Sequence, residues 1–198
     1  MVKTPVRIGV LGTHSTGKTT LMKRIQMELR GHGLNVARTG RLAKRAAAIS
    51  LPKMEHHTAL STQWIIAQGI ADEAAAIAAG AEVVLADRAS VDAVHYYTAA
   101  VEFRKEKEHN PEERQQLWSL ASTQLAYYDL LFVTVLDFDV PVEQGHDYDP
   151  AYRFLVDLHT QRSIVDNDLP VCCVTSSEDS KDKAVQLAVE FVLEARNA

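Results

Sequence analysis

Between an apolar run at residues 6–11 and a helical pattern behind it, the chain carries Gly12-Thr13-His14-Ser15-Thr16-Gly17-Lys18-Thr19, followed by Thr20. This satisfies G-x-x-x-x-G-K-[ST] at every specified position and in the required context of strand, loop and helix. Gly12 and Gly17 permit a turn tight enough for backbone N–H groups to line an anion-sized hollow. Lys18 is placed to reach the β- and γ-phosphates of a nucleoside triphosphate. The Thr19 hydroxyl is a ligand for Mg²⁺, which prefers oxygen donors and substrate phosphates. Residues 12–20 are therefore the candidate nucleotide-binding set.

The rest of the chain alternates in the same way. Strands are predicted at residues 6–11, 34–39, 82–87, 130–136 and 171–174. Helices are predicted behind the loop, over 41–49, over 59–79 with Gly80 as its C-cap, over 90–107, 111–127 and 150–165, and over 181–196. Residues 139–150 read as a mobile loop. Five strands alternating with helices imply an α/β fold of three layers: a parallel five-stranded sheet with helices on both faces, the P-loop NTPase arrangement. No linker or repeat divides residues 1–198, which read as one domain. Ligands of such sheets sit at the carboxyl ends of the strands. That rule gathers the loop, Asp87-Arg88 and Asp137 along one rim.

Composition narrows the ligand class. With 21 Lys+Arg against 26 Asp+Glu, the net charge of −5 disfavours broad contact with a nucleic-acid backbone. Small phosphorylated ligands suit it better. Adjacent Cys172 and Cys173 read as buried core thiols rather than a disulfide. With no long apolar segment at the start or elsewhere, a cytoplasmic protein that uses no membrane is expected.

Asp87-Arg88-Ala89-Ser90 is the second chemical segment. An aspartate at a strand tip beside the loop can hold Mg²⁺ or accept a proton from an attacking hydroxyl, with Arg88 beside the acceptor. The alternative is a helix cap with a surface ion pair. Asp137 either tunes the metal or marks a turn. Arg153 and Arg162 lie nine residues apart on one helix, roughly 14 Å along its axis, so they cannot clamp one phosphate together. One of them is the candidate lid arginine that neutralises transition-state charge. The histidines show no metal-binding spacing and read as mostly surface or supporting residues. Arg41, Gln68 and Tyr97 are carried as candidates on the substrate side.

These residues together resemble the small P-loop kinases of nucleosides and nucleotides, especially the branch related to the nicotinamide riboside kinase domain of bacterial NAD regulators. The resemblance spans nearly the whole chain and rests on residues 12–20, on Asp87-Arg88-Ala89-Ser90, on Asp139-Val140-Pro141 and on the late helix, strand and helix. It implies that Asp87 acts as catalytic base. The chain departs from related kinases in having Gly40-Arg41-Leu42-Ala43-Lys44-Arg45 where Glu-x-Ala-Arg is common, and in lacking an arginine after the glycine of Gln144-Gly145-His146-Asp147. It also shows no adenylyltransferase or DNA-binding region, so the likeness is to the kinase part of those regulators.

The expected activity is transfer of the γ-phosphoryl group of ATP, with Mg²⁺, to a nucleoside, nucleotide or related small alcohol. GTP as donor and a homodimeric state stay open. The rival reading is a nucleotide-binding switch without a small-molecule acceptor. A switch GTPase carries an Asn/Thr-Lys-x-Asp segment, and none follows the fourth predicted strand.

Overall fold

A computed structural model describes residues 4–106, 111–140 and 149–197. Its strands are β1 (Val6–Leu11), β2 (Val36–Thr39), β3 (Val83–Ala86), β4 (Leu130–Thr134) and β5 (Cys172–Val174). They pair in the order β2-β3-β1-β4-β5, every pair parallel. The helices are α1 (Lys18–Gly31), α2 (Leu42–Ala48), α3 (Ala59–Ala78), α4 (Asp92–Phe103), α5 (Pro111–Ser122), α6 (Pro150–Asp166) and α7 (Glu178–Asn197).

Central parallel strands are covered on both faces, so they read as continuous apolar runs whose alternate residues feed opposite cores. Ile8, Val10 and Phe132 pack with Leu21, Ile25 and Leu29 of α1 and Val185 and Ala188 of α7. Leu11, Leu131 and Val133 turn the other way, onto Ile65 and Ile66 of α3, Val94 of α4 and Leu117 of α5. A smaller cluster, Tyr96, Ala99, Tyr152 and Val156, joins α4 to α6. It sets the position of α6 over the loop.

Local chemistry fixes the element ends. Thr58 and Ser61 cap the start of α3 reciprocally. Its end closes with Gly80 at φ +84°, the Ala81 N–H donating to Ala76 O and the Gly80 N–H to Ile77 O. Gly80 therefore lies one residue beyond the cap. Asp149 caps α6 by accepting from the Ala151 and Tyr152 N–H groups at 2.8 and 3.2 Å, ahead of Pro150.

The structure departs from the sequence reading in a few places. The helix expected over 111–127 stops at Ser122, where the Ser122 and Thr123 hydroxyls bond back to the Ser119 and Leu120 carbonyls. The terminal helix begins at Glu178, because the Ser177 hydroxyl accepts the Ser180 N–H. Cys173 is exposed and Cys172 only half-buried, against the expectation of two core thiols. The cause is that β5 is an edge strand, whose alternate residues cannot all face the core. Of the histidines read as surface or supporting residues, His57 and His95 are of the supporting kind, buried beside Thr62 and Thr160. Most of the expected mobile loop, residues 141–148, lies outside the described residues. Among the described residues no helix is long and apolar enough to cross a membrane.

Candidate active site

β1 ends at the carboxyl rim of the sheet, and the chain turns at once into the loop that leads to α1. Gly12 sits at φ +132°, and a Cβ there would come within 2.5 Å of Thr134 Oγ1 and 2.8 Å of Thr134 O. Both the dihedral and the close approach to β4 demand glycine. The hydroxyls of Thr16 and Thr134 lie 2.6 Å apart, and Thr16 donates to Thr13 O at 2.8 Å, so the loop is anchored to β4.

Lys18 is buried, its Nζ donating to Gly12 O at 2.6 Å and to Thr13 O. Burial, reinforced by the nearby Arg88 charge, lowers its pKa to about 7. Thr19 Oγ1 donates to Asp87 Oδ1 at 3.1 Å, which brings together two residues expected from sequence to serve the metal. A hydroxyl that donates to a carboxylate keeps its lone pairs available, so this pair of hard oxygen groups fits Mg²⁺.

Arg88 holds φ +111° immediately after β3. Its guanidinium lies 4.5 Å from the centre of the Tyr96 ring, with Nη1 donating to Asp92 Oδ2 at 3.3 Å. Asp92 Oδ1 accepts the Gly12 N–H at 3.0 Å. One fully buried carboxylate thus ties the phosphate loop to Arg88. Asp92 was missed in the sequence reading, where only its spacing of four residues from Arg88 hinted at a pair.

Two cavities open from this rim. The larger, about 520 Å³, is lined by residues 14–20, Arg24, Arg88, Val135, Asp137, Arg153, Ser176 and Lys181 among others. The smaller, about 40 Å³, lies between α2, α3 and α4 and is lined by Thr39, Leu42, Met54, His57, Ile65, Glu73, Ala93 and Tyr96 among others. Arg88 lines both. The first has the size and charge for a triphosphate, and the second is mainly apolar.

The remaining sequence candidates separate clearly. Arg153 is buried against the loop, donating from Nε to His14 O at 3.2 Å and from Nη2 to Ser15 O at 3.1 Å, while Thr13 Oγ1 donates to Arg153 O at 2.9 Å. Arg162 is exposed and lines neither cavity, because nine steps of about 100° put it on the opposite face of α6. Asp137 borders the large cavity, but its carboxylate accepts from Ser176 Oγ and from the Asp139 N–H at 2.9 Å. The Ser176 hydrogen bond, followed by the Asp139 N–H, holds its pKa below the usual carboxylate range. Thr20 opens onto the large cavity from the first turn of α1.

Gln68 and Tyr97 line neither cavity. Gln68 donates to Asp72, which pairs with Arg45, and the Tyr97 hydroxyl donates to Glu113 at 3.1 Å. Their chain neighbours Gly69 and Tyr96 face the small cavity instead. Arg41 is exposed at the start of α2, outside both cavities, whereas Leu42 and Ala43 line the small one. Glu73, buried in the middle of α3 on that cavity's wall, was also missed.

This architecture is shared with solved nucleotide-handling proteins. The structure of NadR protein in complex with NR superposes with a TM-score of 0.66 at 17% identity, over 94% of this chain and 52% of that one. The chain therefore spans about half the length of that protein. Deoxyadenosine kinase from M. mycoides with bound dATP superposes with a TM-score of 0.61 at 12% identity, over 98% of this chain and 100% of that one. These likenesses show the α/β P-loop fold. No curated protein matches the sequence. The AAA domain family matches residues 7–179, which is most of the chain, and the protein belongs to that family.

Proposed function

We propose that the protein is a kinase that transfers the γ-phosphoryl group of ATP to a hydroxyl of a nucleoside, nucleotide or related small alcohol. The observation that carries this reading is Arg88, which lines both cavities and so stands where a donor in one would meet an acceptor in the other. The names of two structural neighbours, one in complex with NR and one a deoxyadenosine kinase, support the same class.

In this reading the loop N–H groups and Lys18 cradle the triphosphate, Lys18 exchanging the Gly12 and Thr13 carbonyls for phosphate oxygens. Thr19 would hold Mg²⁺ directly and Asp87 only through water, and the ion when bound would supply positive charge opposite the phosphate oxygens. The acceptor oxygen bonds to the γ-phosphorus as the bond from that phosphorus to the bridging oxygen breaks, and the nucleoside diphosphate leaves. The hydroxyl proton passes to the Asp87 carboxylate. Arg88 orients the acceptor, while Arg153, packed on the loop, opposes the charge that spreads over the transferred group. Catalysis is mainly positioning and electrostatics. Asp137 is assigned to its turn with Ser176 and Asp139, and Arg162 to the solvent-facing side of α6.

The test is acceptor-dependent ADP release from ATP and Mg²⁺ across a panel of nucleosides and nucleotides. At least one acceptor raises the rate well above background. Equal release with and without every acceptor overturns the kinase reading in favour of a nucleotide-binding switch.

A further inference from the structure

Arg88 lines the large cavity and stands close enough to Lys18 to lower that lysine's pKa. Its side chain is 31% exposed. A long cation on the wall of a triphosphate site would ordinarily turn onto the phosphate oxygens as soon as they arrive, because charge-assisted contacts to phosphate are strong. Here the guanidinium is already engaged. The Tyr96 ring lies with its centre 4.5 Å from Cζ, and Nη1 donates to Asp92 Oδ2 at 3.3 Å.

The partner is fixed in place. Asp92 has no solvent exposure; its Oδ1 accepts the Gly12 N–H at 3.0 Å, and its own N–H donates to Ala89 O at 2.9 Å. His95 Nδ1 lies 3.9 Å from Oδ1, too far to donate, and burial lowers the His95 pKa to about 4, so that ring is uncharged at neutral pH. The cation paired with Asp92 is therefore Arg88.

We propose that Asp92 is a positioning residue that tethers Arg88 away from the bound triphosphate and so keeps its guanidinium for the acceptor. This rests on the kinase reading above. A contact to the β- or γ-phosphate made before transfer stabilises the bound donor and the transition state alike, which lowers KM and adds nothing to kcat. A guanidinium that stays on Asp92 acts instead where donor and acceptor meet, since Arg88 lines both cavities.

The experiment releases the arginine. Asp92→Asn keeps the volume of the buried side chain but has no charge and one acceptor oxygen for two donors, the Gly12 N–H and Arg88. Asp92→Ser removes the carboxylate altogether and serves should the first variant fold poorly. Arg88→Met is made in the wild type and in each variant, and every protein is titrated calorimetrically with a non-hydrolysable ATP analogue and Mg²⁺. In the wild type, loss of the guanidinium changes analogue affinity by less than about 3-fold, because the side chain does not touch the phosphates; in the Asp92 variants, where it does, the same loss weakens binding by about tenfold or more. With an acceptor from the panel above, the Asp92 variants lose about 10²-fold in kcat while KM for ATP does not rise. A damaged fold has another signature: a lower melting temperature, weaker binding, and an Arg88→Met effect equal in every background.

That equal effect overturns the proposal, as does a rise in KM for ATP with kcat unchanged. If the wild type phosphorylates an acceptor and the Arg88→Met effect is the same in all backgrounds, the kinase reading stands and the tether fails. If no acceptor raises ADP release but the effect appears only when Asp92 is replaced, the tether stands and the kinase reading fails. A wild type that does not bind the analogue overturns both.

Discussion

Lys18 makes binding of the triphosphate a proton-uptake reaction. In the free protein its ammonium is buried, with Arg88 close by, and the pKa falls to about 7. At pH 8 only about one lysine in ten is therefore charged. A triphosphate brings negative oxygens to Nζ and restores the charged form, so binding draws about 0.9 proton from solution at pH 8 and about 0.1 at pH 6. The measurement is a calorimetric titration with a non-hydrolysable ATP analogue and Mg²⁺ in buffers of different ionisation enthalpy; the slope of observed enthalpy against buffer enthalpy counts the protons. Affinity should weaken as pH rises from 7 to 9, approaching tenfold per unit. A slope near zero at pH 8, or the same slope in Lys18→Ala, refutes the reasoning. The sign for folding runs the other way. Between pH 7 and the ordinary lysine value of 10.5 the unfolded chain binds more protons than the folded one, so the cost of burying Lys18 shrinks as pH rises through that window.

Gly12→Ala should destabilise the fold by about 2–4 kcal/mol in denaturant titrations, since a Cβ at φ +132° meets Thr134 Oγ1 at 2.5 Å and its carbonyl at 2.8 Å. An unchanged midpoint would remove the steric account of that glycine. Arg153→Met should weaken triphosphate binding by about tenfold or more while Arg162→Met leaves it unchanged, because only the first touches the loop; equal effects in titration would erase the distinction between them. Asp87→Asn should lower the single-turnover rate by about 10²-fold or more with little loss of nucleotide affinity. A mutant that melts early yet transfers at a near-normal rate would make Asp87 a structural residue.

The parts of the fold readable from sequence are those governed by local rules. Buried parallel strands must be apolar throughout, so β1, β3 and β4 stand out. The loop motif is a contiguous string whose glycines, lysine and threonine each answer to one chemical need. The residues that escaped are governed by distance or by helical phase. Asp92 looks like any acid in the first turn of a helix, and its partner Gly12 is 80 positions away. Within α4, Tyr96 and Tyr97 differ by one step of about 100°, enough to send one ring onto Arg88 and the other hydroxyl to Glu113. The same step separates Gln68 from Gly69. Glu73 sits in an alanine-rich helix that suggests surface, and only the packing of α3 against α4 and α5 shows that it is enclosed.

The geometry around Asp92 also accounts for the backbone of Arg88. Positive φ at a non-glycine residue persists only where its surroundings outweigh the strain. Arg88 has such surroundings: the Tyr96 ring beneath its guanidinium, and Asp92 Oδ2 at 3.3 Å. Because Asp92 is itself fixed by the Gly12 N–H, the arginine is positioned with respect to the first residue of the phosphate loop rather than to solvent. The entropic cost of fixing this long cationic side chain therefore falls on folding rather than on ligand binding. It also places a permanent positive charge near Lys18, the second cause of that lysine's depressed pKa after burial. Three features that look separate, a strained arginine, a buried aspartate and a lysine of lowered pKa, are consequences of holding two basic side chains beside one anion-binding hollow before the anion arrives.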